Sequence, residues 1–577
     1  MRQKISGTGG MILVKILKEC GVEYLFTNPG SAETGLFAAV AEDGDLRIAM
    51  AKHEGLVSAM ADGYSRTSGK VGVAIAHVTG GSLQMAGQLY NAQMAGSAVV
   101  VIAGDWTMEV QDFRGLTPFP GLSQAELMRG VTKEARCAYQ VSYQPEALTV
   151  ATARAMWEAT NPPTGPVFIS VNANLLNQEG LEAEIGEGAA YQIEGPGAAR
   201  PQTIETIARK LGECGCPALM FGDDVWNQNA QDEAVQLAEL LGAPVFGSRQ
   251  TSANFPTHHP LSCGGYPVEK EFSEVTGLQP DLLFMVGCRG LHGSAEEPTV
   301  MQIGPNPTLM GRHYPLDLAA QCNLKDTLPA LCETISSMYG ADTIELWRNQ
   351  RAKVSTYAKR LLEREEAVVR EHADDDVIHP SLLEAQMATL LPKDSIIIGE
   401  NPTARTTLLP FGYQQMWRFG GGGGSLGWAV GGAVGAKIGI GEGRPVVLSI
   451  GDGSLTYSAA GFWSMARYKT PVLTIVSNNE SYQVVRINWA REMPDSQMVQ
   501  EGKYPGLFLG GPSIDYAGLA RSQGVEGECV TEPSELEAAL KRGIDCILKE
   551  NRPYLLDVVV AREGVGHESE WHQGWQM

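Results

Sequence analysis

Apolar positions along the chain alternate between two spacings. From Met11 to Cys20 they recur at helical intervals, and Val22 to Thr27 then forms a short strand-like run ending at the turn Asn28-Pro29-Gly30. Val71 to Ala76, Ala98 to Ala103 and Pro166 to Val171 repeat the second pattern, each bounded by glycines or polar residues. Short unbroken apolar runs suit strands covered on both faces, and helical stretches between them predict a parallel sheet with helices on both sides. Ile185 to Gln202 is rich in Gly, Ala and Pro and reads as a linker. A second series follows, with strands expected at Ala218 to Phe221, Val245 to Phe246 and Leu282 to Val286. Leu346 to Asp375 is highly charged and helix-prone, as expected of a connector running over the surface. Ser381 with Glu384 reads as a capping box opening a third series, with strands expected at Ser395 to Ile398, Val446 to Ile450, Val472 to Val476 and Tyr554 to Val559. The fold class is therefore α/β, as doubly wound parallel-sheet domains over residues 1–185, 200–345 and 375–562, with a tail over 563–577.

Composition agrees with that division. A chain of 577 residues is long enough for about three domains at roughly 100–200 residues each. Lys and Arg number 44 against 66 Asp and Glu, a formal net charge of −22 that argues against nonspecific binding to nucleic acid or an anionic membrane. Cys214 and Cys216 are the only close cysteine pair, too few ligands for a structural zinc site, so reduced thiols are expected. The first ten residues lack the apolar core of a signal peptide, and Gly420 to Gly441 is glycine-rich and broken by Lys437, which suits close-packed interior better than a membrane span. A soluble, cytoplasmic protein is expected.

The segment richest in chemistry is Gly451-Asp452-Gly453-Ser454, followed by a helix, a strand and Asn478-Asn479. Asp452 follows one apolar strand and Asn479 follows the next, so both can converge at the carboxyl edge of one sheet. A carboxylate, an amide oxygen and a backbone carbonyl are hard donors that suit Mg2+, which shares its shell with ligand phosphates. Gly453 lets the backbone approach a diphosphate, and the helix after it presents its positive end. Far upstream, Glu54 opens an Ala/Gly-rich helix within Lys52-His53-Glu54-Gly55.

Strand–GDG–helix–strand–NN, with 27 residues from Asp452 to Asn479, resembles the cofactor motif of thiamine-diphosphate enzymes. The resemblance covers nearly the whole chain. It is nearest the benzoylformate decarboxylase branch of the pyruvate oxidase, acetolactate synthase and 2-oxo acid decarboxylase group, through Asn28-Pro29-Gly30-Ser31, Ala76-His77, Phe255-Pro256-Thr257, Gly424-Ser425-Leu426-Gly427-Trp428 and Tyr457-Ser458. It implies three domains (pyrimidine-binding, central and diphosphate-binding), thiamine diphosphate and Mg2+ as cofactors, and dimers or tetramers in which two chains build each site. Asp452, Asn479 and the Ser481 carbonyl match the metal ligands. Gly451, Gly453, Ser454 and Tyr482 belong to the same cofactor segment. Glu54 matches the glutamate that activates the aminopyrimidine, Leu426 the residue that props the bent cofactor, and Gly424 a carbonyl offered to the pyrimidine. Ser31 and His77 match the substrate-carboxylate and proton-relay residues, although a turn residue and a structural histidine are the plain alternatives. His292 is a looser match to a second histidine.

The pattern departs at Glu480 and Gln483, where relatives commonly carry small residues, and at Asn488, near which the benzoylformate branch has a large aromatic. These departures leave an aryl substrate open. The tail, with His567, Trp571, His572 and Trp575, could fold over the site as a lid or pack on a neighbouring subunit. The reaction implied is decarboxylation of a 2-oxo acid to an aldehyde, or ligation of its acyl unit to a second carbonyl. The alternatives are 2-hydroxyacyl-CoA lyase or oxalyl-CoA decarboxylase chemistry on an acyl-CoA, acetolactate synthase-like carboligation, and a non-catalytic cofactor-binding scaffold.

Overall fold

The computed structural model describes residues 2–106, 123–141, 144–186, 194–247, 251–266, 268–290, 299–312, 314–401 and 406–563. Three sheets of six parallel strands follow one another along the chain, each expected strand lying in one of them. With the strands of each sheet numbered in chain order, the N-terminal sheet (Tyr24–Thr27, Arg47–Met50, Gly72–His77, Val99–Asp105, Ala138–Val141, Val167–Asn172) runs 2-1-3-4-6-5. The C-terminal sheet (Ile396–Glu400, Trp417–Gly420, Val446–Gly451, Val472–Asn478, Glu526–Val530, Tyr554–Val559) runs in the same order. The central sheet, from Pro217–Phe221 to Leu318–Gln321, runs 3-2-1-4-5-6. The inner strands are buried along their length, which is why they read as unbroken apolar runs.

Two expectations change. The charged connector is one helix, Ala341–Glu371, and it is not merely a surface strut. Trp347, Val354, Tyr357 and Leu361 form a buried stripe on the core of the central sheet, because apolar residues recur at helical spacing beneath the charges. The capping box at Ser381 does not form. Pro380 takes the first helical position of Pro380–Leu390, the His379 side chain accepts from the Ser381 N–H, and Glu384 turns away to accept from the Leu408 N–H at 2.7 Å. The Ala/Pro linker also contributes a strand at its leading edge, Leu181–Gly186, paired antiparallel with Arg2–Gly7.

The outer sheets meet through two equivalent helices, Glu54–Ser68 and Trp428–Ile440, each following the second strand of its sheet. A Cβ on Gly431, Gly435 or Gly439 would lie 2.9, 1.9 and 2.9 Å from the carbonyls of Leu56, Met60 and Tyr64. The contacts advance by one turn on both helices together, so the helices run parallel and start at the same end. This is the close-packed glycine stretch expected at Gly420 to Gly441, and among the described residues no helix is long and apolar enough to cross a membrane. Trp428 donates to the buried Asp62 carboxylate at 2.8 Å. Arg66 joins the three domains by donating to the carbonyls of Gly420 (2.8 Å) and Thr251 (2.7 Å).

Candidate active site

At the carboxyl edge of the N-terminal sheet, the first and third strands are neighbours, with Ser31 in the loop after the first and His77 as the last residue of the third. Helix Glu54–Ser68 begins beside them, with Asn28 Nδ2 donating to Glu54 Oε1 at 3.0 Å. Glu54 is 9% exposed, and no described residue hydrogen-bonds its Oε2. The His77 ring lies against Gly30, where a Cβ would fall 2.1 Å from the imidazole, so glycine is required there. His77 Nδ1 faces the Glu33 carboxylate at 3.1 Å, and Glu33 Oε2 also accepts from the Gly30 N–H at 3.1 Å. Glu33 is 1% exposed, and burial raises its carboxyl above the usual range against the opposing pull of His77. Val78, directly after His77, has a φ of 43°, a costly backbone for a β-branched residue and of the kind that gathers at functional sites. Ser31 opens the short turn Ser31–Glu33 and is exposed. The structure thus brings Ser31, Glu54 and His77 to one strand-end crevice.

The C-terminal sheet supplies a second group. Asp452 and Asn479 follow the adjacent third and fourth strands, in register from Val446 with Val472 to Gly451 with Ser477. The backbone N–H groups of Gly453 and Glu480 reach the Asp452 carboxylate, and burial raises it to about 7. Its buried Oδ2 has no hydrogen-bond partner among the described residues. Asn479 Oδ1 accepts from the Ser481 N–H at 3.0 Å, and Asn479 Nδ2 donates to Gln483 Oε1 at 3.0 Å, which fixes the amide the right way round. The loop is pinned to Leu507–Leu509 by Tyr482 N–H to Leu507 O (2.9 Å) and Leu509 N–H to Glu480 O (2.7 Å). A Cβ on Gly453 would strike the Tyr482 ring at 2.6 Å, so Gly453 and Tyr482 fit only each other; burial pushes the Tyr482 phenol to about 12.

Between the strand ends and the loop carrying Gly424 and Leu426 lies a cavity of about 270 Å³, also lined by Glu400, Ser449, Ser477 and Arg418. The loop is shaped from the N-terminal domain: Gln88 Nε2 donates to the Leu426 carbonyl (2.8 Å), and Asn91 donates to the Ser425 carbonyl (2.8 Å) and accepts from the Gly423 N–H (2.8 Å). Glu400, at the end of the first strand, accepts from the N–H groups of Gly427 (2.5 Å) and Ala429 (2.7 Å), capping helix Trp428–Ile440. Burial outweighs these bonds, and one from Ser454, and raises the Glu400 carboxyl to about 7.

A buried carboxylate oxygen with no partner, an oriented amide oxygen and a carbonyl nearby are a donor set that could hold a hard divalent cation. The N-terminus of the short helix Asp452–Thr456 lies beside it. Among the described residues no hydrogen bond joins Ser31, Glu54 or His77 to Asp452, Asn479 or Ser481. His292 and the tail beyond Glu563 lie outside the described residues. Sequence reasoning missed Glu33, Glu400, Gln88 and Asn91. Glu33 could have been found three residues after Gly30, a spacing that lets its carboxylate reach back to that N–H. Of the departures, Gln483 is 3% exposed and bound to Asn479, while Glu480, at a φ of 50°, is partly exposed and lies 3.4 Å from Arg562.

Comparison with known proteins agrees with this geometry. Residues 7–127, 204–331 and 398–558 match, in turn, the N-terminal TPP binding domain, the central domain and the C-terminal TPP binding domain of thiamine pyrophosphate enzymes. Benzoylformate decarboxylase of Pseudomonas aeruginosa is 28% identical over 94% of this chain and 97% of its own. Acetolactate synthase isozyme 3 large subunit of Escherichia coli is 22% identical over 96% of this chain and 95% of its own. A thiamine diphosphate-dependent 4-hydroxybenzoylformate decarboxylase of Rhodococcus jostii RHA1 has the same fold, with a TM-score of 0.76 at 24% identity over 96% of this chain and 99% of that one. With its three domains in the family's order, the chain belongs to the thiamine pyrophosphate enzymes and is a thiamine-diphosphate-dependent carbon–carbon lyase.

Proposed function

We propose that the chain, loaded with thiamine diphosphate and Mg2+, decarboxylates a 2-oxo acid, releasing an aldehyde or passing the acyl unit to a second carbonyl. The observation that carries this reading is the division of groups between equivalent strand ends: Ser31, Glu54 and His77 on one sheet, and Asp452, Asn479 and Ser481 on the other. Bound thiamine diphosphate supplies a carbon nucleophile and an electron sink for the pair left by the departing carboxylate. Asp452, Asn479 and the Ser481 carbonyl hold the ion, while Gly453 and the N-terminus of its helix receive the diphosphate. Gly424 and Leu426 support the organic part of the cofactor from the cavity wall. Glu54, held by Asn28 at Oε1, keeps Oε2 for a proton on the cofactor ring. A carboxylate at Glu33 places the His77 proton on Nδ1, so Nε2 can take and return a proton beside the substrate. Ser31 holds the substrate carboxylate. Each site draws its two halves from two copies of the chain, in keeping with the absence, among the described residues, of any hydrogen bond from Ser31, Glu54 or His77 to Asp452, Asn479 or Ser481.

The test is carbon dioxide release with thiamine diphosphate and Mg2+ from a panel of aliphatic, aryl and CoA-linked 2-oxo acids, with Glu54→Ala as the control. Release from a free acid that disappears in Glu54→Ala is expected and names the substrate class. Release from CoA-linked acids alone moves the activity to acyl-CoA cleavage. Silence on the whole panel, with cofactor bound, defeats decarboxylation.

A further inference from the structure

The departures at Glu480 and Gln483 meet one partner segment, Arg562–Glu563, which lies just beyond the last strand of the C-terminal sheet. Gln483 Oε1 accepts twice, from Asn479 Nδ2 at 3.0 Å and from the Glu563 N–H at 3.2 Å. Arg562 Nε donates to the Asn479 carbonyl at 2.9 Å, and its Nη2 lies 3.4 Å from Glu480 Oε2. Arg486 donates to the Glu563 carbonyl at 2.5 Å, and the Glu563 carboxylate lies 3.0 Å from His379 Nε2. Asn479 is thus held at its amide nitrogen by Gln483, at its amide oxygen by the Ser481 N–H, and at its carbonyl by Arg562.

An asparagine amide can present either end to a cation, and only the oxygen end binds one. The acceptor on the nitrogen end works together with the Ser481 N–H on the oxygen end to set which way the amide faces. A small residue at position 483 would offer no such acceptor. We propose that Gln483 and Arg562 are positioning residues for the metal: Gln483 sets the orientation of the Asn479 amide, and Arg562 anchors the loop backbone from the C-terminal segment. The inference rests on the magnesium site described under the proposed function. Asn479 remains the ligand, and the residues behind it hold its amide and its loop in place. Outer partners of this kind commonly change metal affinity by about 10–100-fold when removed.

The experiment measures the Mg2+ dissociation constant by isothermal titration calorimetry at saturating thiamine diphosphate, without substrate. It compares wild type, Gln483→Met, Gln483→Glu, Arg562→Met and Asp452→Ala, each first checked for folding by thermal melting. Gln483→Met keeps the bulk and loses the acceptor, and it should weaken Mg2+ by about 10–100-fold. Gln483→Glu keeps the acceptor and should recover most of the affinity. Arg562→Met should weaken binding in the same direction by a smaller factor. Wild-type affinity in Gln483→Met, with binding lost in Asp452→Ala, overturns this inference and leaves the site intact. Equal weakening in Gln483→Met and Gln483→Glu also overturns it, since packing and not the acceptor would then matter. Wild-type affinity in Asp452→Ala defeats the metal site itself. Should Gln483→Met not fold, unchanged affinity in Arg562→Met overturns the anchoring role.

Discussion

At the end of its third strand the N-terminal sheet carries His77, and at the corresponding place the C-terminal sheet carries Asp452. The same order, 2-1-3-4-6-5, puts a crevice beside the third strand in both sheets, and an equivalent helix starts at the same end of each. The chemistry in the two crevices differs. On one side Glu54 keeps a carboxylate oxygen without a described partner. On the other, Glu400 uses its carboxylate on the N–H groups of Gly427 and Ala429, capping a helix. Topology chose where a ligand can sit; the side chains chose what each crevice offers it.

The sharpest way to break that division is to remove one group from each crevice. Glu54→Gln should lower turnover by about 10²–10⁴-fold while thiamine diphosphate still binds, as steady-state kinetics and cofactor titration would show. Asp452→Ala should lose Mg2+-dependent cofactor binding itself. Exchanged outcomes would mean the crevices have been assigned the wrong way round. The same pair of variants sharpens the comparison further. If two chains related by a twofold axis build each site, random mixing of the two inactive proteins restores about a quarter of the sites, read as recovered activity after subunit exchange. No recovery despite exchange, verified by differently tagged chains, would place both halves of a site in one chain.

A smaller effect is expected where the two helices touch. Gly435→Ala would put a methyl 1.9 Å from the Met60 carbonyl, so it should cost about 1–3 kcal/mol, visible as a lower melting temperature. An unchanged melt would show that the helices can separate freely. The last effect concerns Glu400 and depends on pH. Its carboxyl is raised from 4.5 to about 7 in the folded protein, so folding takes up a proton between those values. Stability from this group is therefore greatest at low pH, falls as pH rises through about 7, and is flat above it. Cofactor-free wild type should lose melting temperature relative to Glu400→Gln from pH 5 to 8, and a constant difference would contradict the shift.

Much of the architecture was legible because buried parallel strands are written as unbroken apolar runs; Leu282–Val286 and Tyr554–Val559 begin and end where those runs do. The placement of Asp452 and Asn479 was legible because each follows one of two such strands. What escaped reading was partnership across distance. Glu33 finds His77 44 residues away, and Arg562 finds Asn479 83 residues away. Nothing local marks either pair. The capping box at Ser381 failed for a local reason, because Pro380 starts the helix two residues early and His379 takes the capping role. Glu480 and Gln483 stood out as departures, and only the fold revealed that both face the same C-terminal segment.

The ribbon of Arg2–Gly7 with Leu181–Gly186 has a consequence for how the molecule is made. Its two strands are separated by nearly the whole N-terminal domain. At about 5–20 residues per second, a ribosome needs on the order of ten seconds or more to deliver the second strand. Until then the first strand has exposed edges and no mate, although the helix beside it, Gly9–Glu19, can already form. The ribbon is therefore a late clasp, able to close only after every strand of the N-terminal sheet has been made.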